Sequence, residues 1–188
     1  MKGKAAMMRT IVATLLIAGT ANAAAADQAV VPAQAEIPAP VEIPVIEIRK
    51  ADGGLAARAM LYPGSGAIEV RVQAAGLAPG HYGAHIHAVG RCEGPGFDSA
   101  GPHWNPAGRR HGTLNPEGHH LGDLPNLEVG EGGAGRLEFA IPGATLRGGE
   151  HPIVDGDGAA LVIHADPDDY RTDPSGNSGA RIACGILP

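Results

Sequence analysis

The chain has 188 residues, 44% of them hydrophobic but only 3% aromatic, with 29 glycines and 16 prolines. That length suits one domain with appendages, its core built from aliphatic rather than aromatic side chains. A formal charge of −6 argues against nucleic-acid or anionic-membrane partners, and the abundance of Gly and Pro argues against long helices.

Residues 1–23 read as an export signal. Lys2, Lys4 and Arg9 form a positive region, residues 11–18 an apolar stretch too short to span a bilayer, and Ala21-Asn22-Ala23 a small-residue cleavage site. Removing them leaves 11 basic against 20 acidic side chains, a net charge near −9. No cysteine stands at the cleavage site to carry a lipid, so no membrane insertion is expected after processing. Residues 24–44, punctuated by Pro32, Pro38, Pro40 and Pro44, read as an Ala/Pro-rich tether. The folded domain is expected over residues 45–188, in the periplasm, with the extracellular space as the alternative.

From residue 45 the texture changes. Val45-Ile46-Glu47-Ile48-Arg49 and Ile68-Glu69-Val70-Arg71-Val72 alternate apolar with charged side chains, the pattern of half-buried strands. Residues 82–87, 137–141, 160–164 and 180–187 are further short strand candidates. The expected class is all-β, an antiparallel sandwich or flattened barrel. Two long loops interrupt it: residues 88–130, rich in Gly, Pro, Asn and His, and residues 165–179, rich in Asp, Pro, Ser and Gly. Loops this long inside a compact domain are usually functional or disordered. Cys92 and Cys184 are the only cysteines, and an exported chain meets an oxidising compartment, so a disulfide is expected. In the chain-entropy picture, closing a loop of about 90 residues contributes roughly 4–5 kcal/mol as an upper figure.

The two loops carry or adjoin most of the histidines. On a strand, His85 and His87 project the same way while Ile86 faces the other side, so the two imidazoles can share one metal ion. His164 ends another strand. His103, His111, His120 and Asp123 lie in the first loop, where metal ligation would supply order that the loop's own composition does not. Imidazoles mixed with a carboxylate suit copper or zinc better than magnesium or calcium.

Four segments carry a specific resemblance. They are Gly83-Ala84-His85-Ile86-His87, Ser99-Ala100-Gly101-Pro102-His103-Trp104-Asn105-Pro106, His120-Leu121-Gly122-Asp123-Leu124 and Gly179-Ala180-Arg181-Ile182-Ala183-Cys184-Gly185. In order and spacing they resemble the signature segments of copper/zinc superoxide dismutase. The stretch between Cys92 and His103 and the short loop before Arg181 resemble the bacterial exported branch. The resemblance implies a Greek-key β-sandwich of the immunoglobulin-like kind. It implies copper held by His85, His87, His103 and His164, and zinc held by His103, His111, His120 and Asp123, with His103 bridging the two. The His-x-Gly-Asp pattern selects His120 over its neighbour His119. Asp168 matches a carboxylate that orients one imidazole of each set, with Asp169 as the competing position. His81 and His151 match no ligand.

The activity implied is dismutation of superoxide, a small anion, to dioxygen and hydrogen peroxide. His103 and Arg181 are the expected catalytic residues, Arg181 drawing the anion into an otherwise acidic protein. The resemblance also allows a homodimer. One rival reading is a metal reservoir or chaperone-like module without turnover; the complete copper set and Arg181 count against it. The other is a structural β-sandwich on a tether with incidental histidines; the coincidence of seven ligand positions, an arginine and a cysteine pair counts against that.

Overall fold

The computed structural model describes residues 42–188. The expected export signal (1–23) lies outside them, as does the expected tether (24–44) apart from its last three residues. The described residues contain no α-helix. Their strands are β1 (Ile46–Lys50), β2 (Leu55–Pro63), β3 (Ala67–Ala74), β4 (Gly80–Tyr82), β5 (Ala84–His87), β6 (Leu127–Val129), β7 (Arg136–Pro142), β8 (Ala144–Thr145), β9 (His151–Pro152), β10 (Ala160–His164) and β11 (Arg181–Ile186).

Seven strands form one antiparallel sheet in the order β5-β10-β11-β1-β2-β3-β7. The small β4–β6 pair connects its two edges. β4 runs on into β5 at one edge, while β6 turns through residues 130–134 into β7 at the other. Strands β3 and β5 are near neighbours in sequence yet stand at or next to opposite ends of the strand order, and β7 and β10 cross back the same way. These crossings make the curled sheet a Greek-key sandwich, as the sequence led us to expect.

Alternation decides what each strand buries. β1 turns Ile46 and Ile48 inward and Glu47 and Arg49 outward; β3 buries Ile68, Val70 and Val72. Strand β10 is buried throughout. Its Leu161 and Ile163 join the main core with Ile48, Ile86, Leu127 and Ile141. Ala160 and Val162 face the other way, into a second cluster with Phe97, Ala100 and Cys184. The β5–β10 register sets His85 opposite Val162 and His87 opposite Ala160. Both imidazoles therefore lie on the outer face of the sheet, beneath the loops, while Ile86 points into the core. Cys92 and Cys184 are joined by a disulfide, Cα to Cα 5.6 Å, which fastens the first loop to β11.

Three strand expectations need correction. β2 was not foreseen: its inward residues include Ala56, Ala57 and Ala59, too small to mark an alternation and poor strand formers. The strand expected over residues 82–87 is two strands in different sheets, broken at Gly83. There the N–H donates to the Asp166 carbonyl, and an added Cβ would come within 2.8 Å of the Ser178 Cβ. Finally, the loop expected over residues 88–130 contains β6, whose three residues are too few to stand out from a turn-rich stretch.

Candidate metal centre

The long loop is zipped onto the free edge of β5. The N–H of Ile86 donates to the Gly122 carbonyl, Trp104 N–H to the Ile86 carbonyl, Ala88 N–H to Pro102 and Leu124 N–H to Ala84. Short bridges pair His85 with Asp123 and His87 with His103. Two loop segments thus behave as extra strands, and strand geometry places their side chains beside those of β5. Gly122 is obligatory at this junction, since a Cβ there would lie 2.5 Å from the Ile86 carbonyl oxygen.

Two groups of side chains result, each with its ligand atoms within 4.8 Å of one another. One is His85, His87, His103 and His164; the other is His103, His111, His120 and Asp123. All seven residues are buried, and His103 belongs to both groups. His119 belongs to neither: it is half-buried, and its Nδ1 lies 2.6 Å from the His120 carbonyl. Nor do His81 and His151 take part.

In the first group every imidazole is held by one nitrogen and leaves the other unpartnered. His85 Nε2 lies 2.9 Å from Asp168 Oδ2, His87 Nδ1 2.8 Å from the Gly101 carbonyl, and His164 Nδ1 3.2 Å from the Gly179 carbonyl. His103 Nδ1 faces Asp123 Oδ1 at 2.9 Å. That leaves His85 Nδ1, His87 Nε2, His103 Nε2 and His164 Nε2 buried without a hydrogen-bond partner. Buried polar atoms are almost always satisfied, so four converging orphans in one place mark a ligand site. Burial holds these rings neutral, with lone pairs available: His87 is pushed down to about 2, His164 to about 3 and His103 to about 4.

The second group centres on a carboxylate. Asp123 Oδ1 lies 2.9 Å from His103 Nδ1, 3.0 Å from His111 Nδ1 and 3.2 Å from His120 Nδ1, and Oδ2 accepts the Gly112 N–H at 2.9 Å. Burial would raise the Asp123 pKa, but these partners together hold it well below the ordinary carboxylate range. His111 goes the opposite way. Burial lowers it, yet Asp123 and Asp168 together lift it to about 9.

Asp168, not Asp169, joins the groups. Its Oδ2 meets His85, and its Oδ1 lies 3.0 Å from His111 Nε2. Asp169 is exposed and caps its own turn through Thr172 and Asn177. Two residues that sequence reasoning passed over aim Asp168. The Asn126 side chain donates to the Asp168 carbonyl (3.0 Å) and accepts its N–H (2.8 Å), while the Tyr170 N–H donates to Asp168 Oδ1 (2.6 Å). The Tyr170 hydroxyl accepts the Asn126 N–H at 2.9 Å, closing the latch between the loops.

A cleft of about 750 Å³ opens over the first group, lined in part by His103, His164, Arg109 and Arg181. The Arg181 guanidinium donates to the Phe97 carbonyl at 2.9 Å and to the Gly101 carbonyl at 2.8 Å. That Gly101 carbonyl is also the anchor of His87, so one backbone oxygen positions both residues. Burial pulls Arg181 below its ordinary value, with Asp98 opposing; a guanidinium stays charged regardless.

Comparison with known proteins identifies the family. The family model described as copper/zinc superoxide dismutase (SODC) matches residues 57–187. The chain belongs to the copper/zinc superoxide dismutase family. It is 42% identical over 143 residues to a copper-zinc superoxide dismutase of Aquifex aeolicus, covering 75% of this chain and 84% of that one. It is 38% identical to its counterpart in Caulobacter vibrioides, covering 74% and 82%. The crystal structure of a superoxide dismutase-like protein from Bacillus subtilis superposes with a TM-score of 0.72 at 40% identity, over 78% of this chain and all of that one. The family's cofactors are copper and zinc, and the donor sets fit them. Four imidazole nitrogens suit copper, and three imidazoles with one carboxylate in tetrahedral number suit zinc. The chain is a superoxide dismutase of the copper/zinc type.

Proposed function

We propose that copper is held by His85, His87, His103 and His164, that zinc is held by His103, His111, His120 and Asp123, and that His103 serves both ions through its two ring nitrogens. The observation that carries this is the set of four buried, unpartnered ring nitrogens, each on an imidazole already anchored from its far side. When bound, copper supplies the one-electron exchange that turns one superoxide into dioxygen and, with two protons, another into hydrogen peroxide; zinc supplies a fixed charge.

The chain's own residues perform the rest. The carbonyls of Gly101 and Gly179 and the carboxylate of Asp168 fix the tautomers of His87, His164 and His85, keeping the opposite nitrogens free to ligate. His103 lines the cleft, and its buried, unpartnered Nε2 is the atom that can carry a proton toward the product. Arg181, rigidly held beside it, offers a permanent positive charge to a small anion. Focusing of this kind raises encounter rates; the handling of superoxide by this enzyme family is a standard example of it. The N-terminal pattern of Lys2, Lys4, Arg9 and residues 11–23 supports export, and we place the mature protein in the periplasm.

Metal analysis of the purified mature protein, with a superoxide decay assay, tests the reading directly: one copper and one zinc per chain and fast decay are expected. Arg181→Ala should lower the rate on the order of tenfold and flatten its dependence on ionic strength, with copper content unchanged. An unchanged rate would remove the arginine from the scheme. Full metal content without decay would favour a reservoir.

A further inference from the structure

The loop on one side of the cleft works against anion entry: residues 165–179 hold four aspartates and a single arginine. Of these, Asp173 lines the cleft, as does Asp98 from the first loop. In a chain that is already acidic, positive side chains lining the cleft must offset these carboxylates, and Arg181 is one of them. One other basic residue lines the cleft, Arg109 in the first loop.

Arg109 is built in rather than merely present. Its N–H donates to Asn105 Oδ1 at 2.9 Å, and Asn105 Nδ2 donates to its carbonyl at 2.7 Å, so one side-chain amide fixes the backbone in both directions. The stem runs along Gly118, where an added Cβ would meet Arg109 Cδ at 3.6 Å. One guanidinium nitrogen donates to the Glu117 carbonyl at 3.2 Å. Among the described residues, no carboxylate pairs with Arg109 or with Arg181. Arg110, next in the chain, is directed instead at the Glu117 carboxylate, 4.0 Å away, and does not line the cleft. Adjacent arginines thus differ: one charge is paired on the surface, the other is unpaired at the cleft.

We propose that Arg109 is a second guide for the anionic substrate, lining the same cleft as Arg181 and set two residues from His111, whose N–H donates to Asp173. It touches no reacting atom. It acts by raising the local potential so that the anion reaches Arg181 and His103 more often. The proposal rests on the dismutase reading above, and the test separates the two.

The mature protein, loaded with copper and zinc, is compared as wild type, Arg109→Glu, Arg109→Lys and Arg110→Glu. At low ionic strength Arg109→Glu should slow superoxide decay by roughly three- to fivefold. At about 0.5 M salt, where the screening length is only a few ångströms, that gap should close. Arg110→Glu makes the same change in net charge and should cost less than half as much, while Arg109→Lys should restore the rate. In parallel, each protein is titrated with azide, a small monoanion, following the copper absorption band, and Arg109→Glu should weaken azide binding about threefold. Equal losses in Arg109→Glu and Arg110→Glu would show that net charge matters and cleft position does not, and would overturn the proposal. So would a loss that survives high salt, or an unchanged azide affinity. If the metal-loaded wild type decays no superoxide yet Arg109→Glu still weakens azide, the guide stands and the dismutase reading falls.

Discussion

The two halves of the centre share His103 but are made in different ways. His85, His87 and His164 ride on β5 and β10, the most deeply buried part of the sheet, and the pleat aims them. His111, His120 and Asp123 ride on a loop whose order depends on backbone bonds to β5 and on the Asp123 carboxylate. The first half is all imidazole and refuses protons. The second has a carboxylate at its centre and, without metal, favours a proton on His111, between Asp123 and Asp168. Sheet geometry therefore preforms the half proposed to hold copper (the copper half), whereas the half proposed to hold zinc (the zinc half) gathers its imidazoles around a buried carboxylate.

Removing that carboxylate is the most severe way to break the contrast. Asp123→Ala takes away an oxygen shared by three imidazoles and leaves the Gly112 and His120 N–H groups without their acceptor. Loss of one partner from a buried charged cluster costs about 3–5 kcal/mol. Zinc affinity should fall by more than the roughly 10–100-fold typical of losing an outer partner, with copper affinity changing far less. Melting temperature and separate titrations of the two metals would read this out. Equal loss of both metals would mean that the halves are not built independently.

The same contrast decides what the sequence could reveal. Strands with a clean apolar and charged alternation, such as β1 and β3, were legible, and so were the clustered histidines, because few other roles gather six histidines and an aspartate at these spacings. β2 was hidden by its alanines. The anchors of the copper half were hidden for a different reason: the carbonyls of Gly101 and Gly179 belong to the backbone and leave no mark in side-chain chemistry. Gly101 carries an indirect sign, since its φ of 75° and the 2.9 Å approach of an added Cβ to Val89 require glycine. Asn126 had a signal indistinguishable from that of a turn former. Arg109 could not be told from Arg110.

Acid should separate the halves in the metal-free protein. Above about pH 6.5, His87, His103 and His164 are neutral whether the chain is folded or not, and they give no pH dependence. Below it the unfolded chain takes up protons that the folded chain refuses, until the folded values of about 2, 4 and 3 are reached. Stability should fall by about 1.4 kcal/mol per ring per pH unit as pH drops from 6.5 toward 4.5. Asp123 and Asp168, held low, add loss only at more acid pH, within and below the ordinary carboxylate range. His111 has the reverse sign: its contribution is complete below about 6.5 and is lost as pH rises through about 9. Thermal melts of the chelator-stripped protein should thus weaken on both sides of pH 6.5, more steeply on the acid side. A flat profile between 6.5 and 5 would contradict the burial of the copper-half imidazoles.

Asn126 offers a smaller lesion that should affect both halves at once. Its side chain fixes the backbone of Asp168, and Asp168 holds His85 of one half and His111 of the other. Asn126→Ala should weaken copper and zinc together, each by about tenfold, where Asp123→Ala weakens mainly one. A loss confined to a single metal would show that Asp168 keeps its aim without the latch.

The finest test compares two adjacent imidazoles. His120 Nδ1 lies 3.4 Å from His103 Nδ1 and 3.2 Å from Asp123 Oδ1, inside the zinc half. His119 turns back on the His120 carbonyl and shares no atom with either group. Replacing His119 by alanine removes one hydrogen bond to backbone and should cost no more than about 1 kcal/mol, with zinc content unchanged. The same replacement at His120 removes a ligand and should release zinc. If His119→Ala lost zinc and His120→Ala kept it, the loop would present its other face to the metal, and the register that zips residues 122–124 onto β5 would have to shift by one residue.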